Sequence, residues 1–499
     1  MRGLSPTVTL HYGSFTGLTN TTTGIVYYRS VRFADAPVGN LRWQAPVSPP
    51  SKHLGHVDAS QARQPAYSSI LQSLYFEPDS TALLSSQRGQ ATRSRDRPVK
   101  IVYSGMSSFP SPQNPQASSL YWYISTVRVT TLRLLLKPLV FVTFQYRLGQ
   151  FGFLGLWDQR AALEWVQRYI SEFGGDPKQV TTWGQSAGAG STMYHLVAEG
   201  GNDRRLFQRA MGDSPPLLSM PAYTHPFVEN LLTQCAGLAG CSSAKEKDTM
   251  SCLRAATTQQ LAFTGSATLA NLTSALFPFG PILDGKFIAQ RPVETFKQNR
   301  SNTNEGTRWS VELANPAANT SEPNATENTV FNFLSGQWPG LTRKTFDVAI
   351  GPGLYPASDL SNFSTQGQQF YGEMRFICTA LLIGGTFHDA GIPAYGYHWD
   401  NPILGSDHTS ELVMFYTLNP AFDPLDTQLA ADMRAYWTSF ATDGVPKAAK
   451  APVWETAKTN GSPRMLLHPE QVGMEAVTSE LTDHCEFWHS QTLITELNT

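Results

Sequence analysis

The chain of 499 residues has little charge and no long apolar run. Charged residues make up 15% of it, against about a quarter in an average protein, and the formal net charge is −2 without a long run of one sign. Because this pattern lacks the electrostatic signature of binding to nucleic acid or to an anionic membrane surface, we predict neither as a partner. No segment reaches the roughly 18 apolar residues of a membrane helix. The longest candidate, 132–144, is interrupted by Arg133, Lys137 and Pro138, so no transmembrane segment is predicted.

Cysteine is also scarce, with five residues and no CxxC spacing. No zinc site is therefore predicted. The odd count leaves at least one thiol unpaired within the chain. The first 15 residues lack the apolar stretch of a signal peptide, which taken alone indicates a cytosolic chain or one without its start.

Sequons for N-glycosylation indicate a secreted protein instead. Several of them lie in polar segments, as glycan acceptors would. The N-x-S/T sequons begin at Asn20, Asn271, Asn299, Asn319, Asn324, Asn362 and Asn460.

Apolar residues make up 41% of the chain, and the 39 glycines bring the total to about 49%, the share of an ordinary globular protein. No internal repeat or linker is visible, so we predict a single domain over 1–499, with a polar surface excursion near 299–329. Apolar residues at spacings of three and four predict a helix over 156–173, which Gly174 and Gly175 end. These apolar positions are Leu163, Val166, Ile170 and Phe173.

Strand and helix signals alternate in the first half of the chain. Short β-branched or aromatic runs predict strands at 99–103, 140–145 and 180–183, and a helix is predicted over 186–198. A strand, a sharp glycine turn and a helix in succession are typical of an α/β fold with a parallel sheet.

The motif G-x-S-x-G occupies Gly184 to Gly188, between the predicted strand and helix. This is the setting of a nucleophile elbow, in which a tight turn holds the hydroxyl of Ser186 clear of the backbone. The backbone N–H of Ala187 would then point toward a developing oxyanion. The alternative is a glycine-rich loop with a solvated serine.

A serine nucleophile needs a base and an acid that orients the base. In this fold the order along the chain is serine, acid, histidine. His408 lies in a polar loop, GSDHTSEL, just before an apolar run, where a loop could present an imidazole to Ser186. The alternative is an ordinary solvated loop histidine.

Segment 151–191 closely resembles the type B carboxylesterase/lipase family, also called cholinesterase-like. It reads FGFLGLWDQRAALEWVQRYISEFGGDPKQVTTWGQSAGAGS. FADAPVGNLRWQAP at 33–46, QYRLGQFGF at 145–153, FGPILDGKFI at 279–288 and CEFW at 485–488 also resemble motifs of this family. The resemblance extends over nearly the whole chain and is greatest to secreted fungal members.

The resemblance implies an α/β-hydrolase fold, with a large, mostly parallel central sheet flanked by helices. It implies a secreted hydrolase of small-molecule or lipid carboxylic esters that needs no metal or cofactor; no oligomeric state is predicted. The family's triad maps to Ser186, to Glu305 in SNTNEG and to His408 in HTSEL, and it acts through an acyl-enzyme intermediate. Asp407, beside His408, is interpreted as a turn residue. The predicted oxyanion donors are the backbone N–H groups of Ala187, Ser107 and Ser108.

The family's disulfides carry over in part. Cys241–Cys252 matches its short loop pair and Cys378–Cys485 its long-range pair, which leaves Cys235 free. Such bridges require an oxidising compartment. The alternative is a set of buried reduced thiols.

The chain departs from the family in four regions. The glycine-rich oxyanion loop reads YSGMSSF at 103–109, the polar stretch 79–98 replaces a cysteine-bearing segment, and a loop is missing between Leu154 and Gly155. The apolar strand before Glu305 is absent, so we expect Glu305 on an irregular loop. These departures keep two alternatives open: a catalytically impaired, cholinesterase-like binding protein, and a faulty translation with splice errors.

Overall fold

The structure is a computed structural model. It describes residues 5–22, 24–61, 99–104, 126–134, 137–201, 205–243, 245–270, 278–296, 309–351, 354–355, 362–416 and 422–499, with 99–104, 126–134 and 137–138 described by their backbone alone.

The strands of the described residues are short, with at most nine residues each. They are β1 Thr7–Leu10, β2 Gly13–Thr16, β3 Leu18–Thr19, β4 Val26–Arg32, β5 His56–Asp58, β6 Val99–Ser104, β7 Thr126–Leu134, β8 Lys137–Phe144, β9 Val180–Gln185, β10 Arg209–Asp213, β11 Tyr397–Trp399, β12 Arg464–Leu467 and β13 Gly473–Glu475.

The helices alternate with the strands in the middle of the chain and predominate after β10. They are α1 Gly155–Tyr169, α2 Ala187–Gly201, α3 Pro226–Leu238, α4 Glu246–Ala255, α5 Thr258–Ala270, α6 Pro292–Thr295, α7 Glu327–Gln337, α8 Arg343–Ala349, α9 Phe363–Gly372, α10 Cys378–Asp389, α11 Val413–Tyr416, α12 Pro424–Asp443, α13 Ser479–Trp488 and α14 Gln491–Leu497.

A seven-stranded sheet forms the centre of the described chain, in the order β10-β9-β6-β8-β7-β4-β3. The neighbours β10, β9, β6 and β8 are parallel, whereas β7 runs antiparallel to both β8 and β4. Since β3 is antiparallel to β4, five of the seven strands share one direction. Two three-stranded sheets, β1-β2-β5 and β11-β12-β13, lie beside it.

Helices cover both faces of the parallel half because its strands are apolar on both sides. Along β8, Val140 and Val142 pack in the same core as Leu163 of α1. Leu139 points to the opposite face, where it shares a core with Met433 of α12. The alternation of side chains along one strand thus places α1 and α12 on opposite sides of the sheet.

The elements predicted from periodicity are present with small shifts at their ends. The helix predicted over 156–173 is α1 followed by a 3₁₀ turn, Ile170–Phe173, and Gly174 ends it with a φ of +81°. The predicted strand 180–183 extends to Gln185 as β9, and every residue of β9 is buried. The helix predicted over 186–198 is α2.

Most described residues of the polar segment 299–329 are exposed or partly exposed, and a few are buried. Ala318 and Thr320 are buried, and Ala318 belongs to an apolar core with α7 and α9. The Thr320 hydroxyl donates to the carbonyl of Ser310 at 2.8 Å, so local hydrogen bonds satisfy polar groups that leave the solvent. The single domain over 1–499 stays a prediction.

Both predicted disulfides are formed, and their prediction is confirmed. Cys241 is bonded to Cys252 and Cys378 to Cys485, with Cα–Cα distances of 5.5 and 5.2 Å, and Cys235 is unbridged. Among the described helices, none is both long and apolar enough to span a membrane.

Candidate active site

Ser186 lies in the turn between β9 and α2, with a φ of +54° that is unusual for a residue with a side chain. The backbone N–H of Ser186 donates to the carbonyl of Asp213, at the end of the neighbouring strand β10, at 2.9 Å. A strained turn of this kind persists only where its surroundings hold it, and such turns concentrate at functional sites.

The glycine of the motif is required by a close approach of the backbone. A Cβ on Gly184 would lie 2.2 Å from the carbonyl carbon of Gly188, in the first turn of α2. The strand and the helix therefore approach each other closely. The Ser186 side chain lies at their junction, at the carboxyl edge of the parallel strands. This is the geometry that the sequence pattern predicts for a nucleophile elbow.

His408 lies next to Ser186, although 222 positions separate them in the chain. Nε2 of His408 is 2.8 Å from Oγ of Ser186, within hydrogen-bond distance. Thr409, the next residue, has a φ of +79°, and a 3₁₀ turn, Ser410–Leu412, follows it. Asp407 accepts hydrogen bonds from the N–H and hydroxyl of Ser410, which fits its interpretation as a turn residue.

Two aromatic rings contact the imidazole of His408. The Phe376 ring lies 4.5 Å from it between centroids, at 31°, and the Trp309 ring meets it edge to face at 5.7 Å. The sequence analysis missed both residues. No local pattern identifies them, since each contacts His408 only through the folded chain.

A buried carboxylate lies directly behind the Ser186 turn. Asp213 accepts hydrogen bonds from the indole N–H of Trp183 in β9 and from the Tyr397 hydroxyl in β11, the latter at 3.2 Å. These contacts join β9 and β10, which are neighbours in the central sheet, to β11 of the C-terminal sheet. They fix the carbonyl of Asp213 that accepts from Ser186.

Helix α2 is tied to α1 by a buried polar network. The Gln159 amide donates to the Ser191 hydroxyl at 3.0 Å, and its carbonyl oxygen lies 3.0 Å from Nε2 of His195. Burial, with a smaller contribution from the charge of Arg160, lowers the pKa of His195 to about 3. His195 is therefore neutral and donates through Nε2 to Gln159, which fixes the helix that begins at the Ser186 turn.

The structure thus brings Ser186 and His408 together and places Ala187 as the first residue of α2. The N–H of a first helical residue has no partner within its own helix, so it is available to an oxyanion. Glu305, Ser107 and Ser108 lie outside the described residues. Within the described part of the chain, no group of three His, Cys, Asp or Glu residues could hold a metal ion.

Comparison with protein families gives a match over most of the chain. The model of the carboxylesterase family matches residues 4–81 and 118–488. The chain belongs to the carboxylesterase family. The match contains Ser186 and His408 and omits 82–117, where Ser107 and Ser108 lie.

Individual proteins are similar to this chain over most of their length. The pyrethroid hydrolase Ces2e of Rattus norvegicus is 25% identical, over 89% of this chain and 82% of the relative. The secreted triacylglycerol lipase LIP1 of Gibberella zeae is 25% identical, over 86% and 82%. The crystal structure of EstA from Aspergillus niger covers 99% of both chains with a TM-score of 0.74 at 22% identity.

These similarities confirm two predictions about this carboxylesterase. Its architecture is the α/β-hydrolase fold, and its enzyme class is that of a carboxylic ester hydrolase. The family resemblance read from segment 151–191 is confirmed as well.

Proposed function

We propose that this carboxylesterase hydrolyses esters with a triad of Ser186, Glu305 and His408, through an acyl-enzyme intermediate. The observation that carries the proposal is the 2.8 Å contact between His408 Nε2 and Ser186 Oγ, at the end of a strained turn. A serine hydroxyl becomes a useful nucleophile when a base within hydrogen-bond distance removes its proton as it attacks.

The proposed reaction has two halves that use the same groups. In the first, Ser186 Oγ attacks the ester carbonyl, its proton moves to His408 Nε2, and the imidazolium protonates the departing alcohol. In the second, His408 removes a proton from water, the hydroxide attacks the acyl-enzyme, and the proton returns to Ser186 as the acid leaves.

The tetrahedral oxyanion of each half needs preorganised donors. The N–H of Ala187, at the start of α2, is one such donor, and it gains from the positive end of the helix dipole. We assign the remaining donors to the backbone of Ser107 and Ser108. Each oxyanion donor contributes about 3 kcal/mol to the stability of the transition state.

The proposed role of Glu305 is supported by the position of Trp309. Trp309 contacts the His408 ring, and four residues of chain span at most about 14 Å. The chain length therefore allows Glu305 to reach Nδ1 of His408, from which it would fix the tautomer and stabilise the imidazolium.

The proposed substrates are small-molecule or lipid esters, and the proposed location is extracellular. Two disulfides favour an oxidising compartment, and one relative is named as a secreted triacylglycerol lipase. Esters of increasing acyl length distinguish the two substrate classes: a maximum at short chains indicates an esterase, and a maximum at long chains a lipase.

The triad is tested by hydrolysis of a short-chain nitrophenyl ester. We expect Ser186→Ala to lower kcat by about 10⁶. We expect Glu305→Gln to lower it by about 10⁴, the cost of the wrong histidine tautomer. Equal rates for the wild type and Ser186→Ala would reject the proposal. An unchanged rate for Glu305→Gln would reject Glu305 as the acid.

A second candidate function, binding without turnover, is favoured by one observation. The family match omits 82–117, the segment of the proposed oxyanion donors Ser107 and Ser108. A fluorophosphonate probe reacts with an activated serine and needs no complete hydrolytic cycle. Stoichiometric labelling of Ser186 together with ester turnover would eliminate the binding-only function.

A further inference from the structure

One turn of π-helix, Glu373–Ile377, joins α9 to α10 and presents an aromatic ring to His408. We call this segment the π turn. π-Helical turns are rare in proteins, and those that do occur are often located at functional sites. The N–H of Leu217 donates to the carbonyl of Arg375 in the π turn at 2.6 Å, and the next residue, Phe376, packs on the His408 imidazole.

Two consecutive residues of α13 hold the two ends of the π turn. His484 Nδ1 lies 2.9 Å from Oε2 of Glu373, the first residue of the turn. Cys485 forms the disulfide to Cys378, the residue that directly follows the turn. An ionic contact holds the first residue of the π turn, and a disulfide holds the residue after it. Since both come from α13, this helix sets the position of the π turn at both ends.

The hydrogen-bond partners of His484 require a charged ring. Nδ1 faces the Glu373 carboxylate, and Nε2 lies 2.7 Å from the carbonyl of Leu354. Both partners only accept hydrogen bonds, whereas a neutral imidazole has a single N–H, so both ring nitrogens must carry a proton.

The charges around His484 favour the imidazolium. Burial alone lowers the pKa of His484, but the hydrogen bond and charge of Glu373, the Leu354 carbonyl and the charge of Glu480 outweigh it and raise the pKa. Glu373 also accepts hydrogen bonds from the Tyr355 hydroxyl and from the Gln369 amide at 2.9 Å, as an ionised carboxylate does. Burial and the neighbouring Glu373 raise the pKa of Tyr355 well above 10, so Tyr355 stays neutral.

We propose that His484 is a positioning residue for ester hydrolysis: its contact with Glu373 holds the π turn so that Phe376 orients the His408 ring toward Ser186. The inference rests on the proposed role of His408 as the base. His484 contacts Glu373 and the carbonyl of Leu354, and it acts on His408 through Glu373 and Phe376.

The sign of the pH dependence follows from the raised pKa of His484. The imidazolium is fully present at pH values below the ordinary histidine pKa of about 6.5, and so is its ion pair with Glu373. It is lost as the pH rises through the raised pKa of the folded state. The contribution of His484 to kcat therefore decreases as the pH rises, on the alkaline side of the pH profile.

The first test compares His484→Gln with His388→Gln. His388 lies on α10, the helix that follows the π turn, and its side chain is exposed, so it serves as the matched control. We expect His484→Gln to lower kcat about 10- to 100-fold with KM within about twofold, since a misplaced base affects chemistry more than binding. It should also lose the alkaline inflection, while His388→Gln retains both. A retained inflection with unchanged kcat would overturn the inference.

The second test asks whether His484 acts through Phe376. If it does, His484→Gln causes little further loss of kcat in a Phe376→Leu background, so the two effects are not additive. Independent, additive losses would contradict the proposed route. If His484→Gln fails to fold, the pH profiles of the wild type and Phe376→Leu decide: an alkaline inflection confined to the wild type supports the route, and the same inflection in both overturns it.

Assay of the wild type separates this inference from the proposed function. A wild type without ester turnover contradicts the proposed function alone. In that case the ring signals of His408 in NMR spectra replace kcat as the readout. A change of these signals in His484→Gln but not in His388→Gln supports the positioning role, and identical signals in both variants overturn it.

Discussion

Gly184 occupies a place where no side chain fits, because its Cβ would lie 2.2 Å from the backbone of Gly188. We expect Gly184→Ala to open the turn, move Ser186 away from His408 and lower kcat/KM at least about 100-fold. Gly473→Ala is the control, since a Cβ there would meet nothing within 4 Å. Ester hydrolysis measures both variants, and a rate for Gly184→Ala close to that of the control would contradict this account of the turn.

Two sequons close together in the chain have opposite surroundings. Asn319 is 6% exposed, and its side chain donates to Glu322 and accepts from Ser321, whereas Asn324 is exposed on a turn. Because a glycosyltransferase needs a free and accessible amide, we expect a glycan on Asn324 and none on Asn319 after secretion from a eukaryotic host. Mass spectrometry of the glycopeptides checks this. A glycan on Asn319 would mean that its loop is open when modification occurs.

At the scale of elements, Arg42 serves as a C-terminal cap for helix α4. Its guanidinium donates to the carbonyls of Leu253, Arg254 and Ala256, at 3.2, 3.1 and 2.7 Å. We expect Arg42→Ala to lower the free energy of unfolding by about 1–3 kcal/mol, because it leaves these carbonyls without a charged donor. Arg42→Lys should recover part of the loss, since a cation remains at the negative end of the helix. Denaturant unfolding measures both, and equal midpoints for Arg42→Ala and the wild type would contradict the cap.

Some elements could be predicted from the sequence because their cause is local. Leu163, Val166 and Ile170 recur at the helical period, so α1 follows from its own residues. The π turn could not be predicted, because the residues that hold it, Leu217 and His484, lie far away in the chain. The burial of Ala318 in a polar segment was missed for a related reason: composition records polarity, whereas Thr320 and Ser310 satisfy their polar groups with each other.

At the scale of the whole molecule, the two disulfides close loops of very different length. The sequence separations are 107 residues for Cys378–Cys485 and 11 for Cys241–Cys252. On the chain-entropy account these bridges contribute about 4.8 and about 2.8 kcal/mol, so replacing the first pair by serine should cost about 2 kcal/mol more than replacing the second. Unfolding in denaturant, with each pair replaced in turn, measures the difference. A larger loss for the short loop would show that strain or local packing, rather than chain entropy, dominates.

Only part of the candidate site could be predicted from sequence motifs. Ser186 could be found because the elbow is a continuous strand, turn and helix, and His408 because its segment resembles the family. Their contact, and the Trp309 and Phe376 rings around the imidazole, depend on segments brought together by the fold. The identity of the triad residues can be predicted from the sequence, whereas the packing that orients their side chains cannot.

The loop of chain that the Cys378–Cys485 disulfide closes contains His408 but not Ser186. A protease that cuts once between these cysteines produces two fragments, of which one carries Ser186 and the other carries Cys485. The fragments stay joined through sulfur, so clipped and intact protein migrate alike on a denaturing gel without thiol and separate only after reduction. Purity judged on a non-reducing gel would therefore overlook nicked enzyme, and an activity that disappears on adding thiol could report fragment dissociation rather than a redox-active residue.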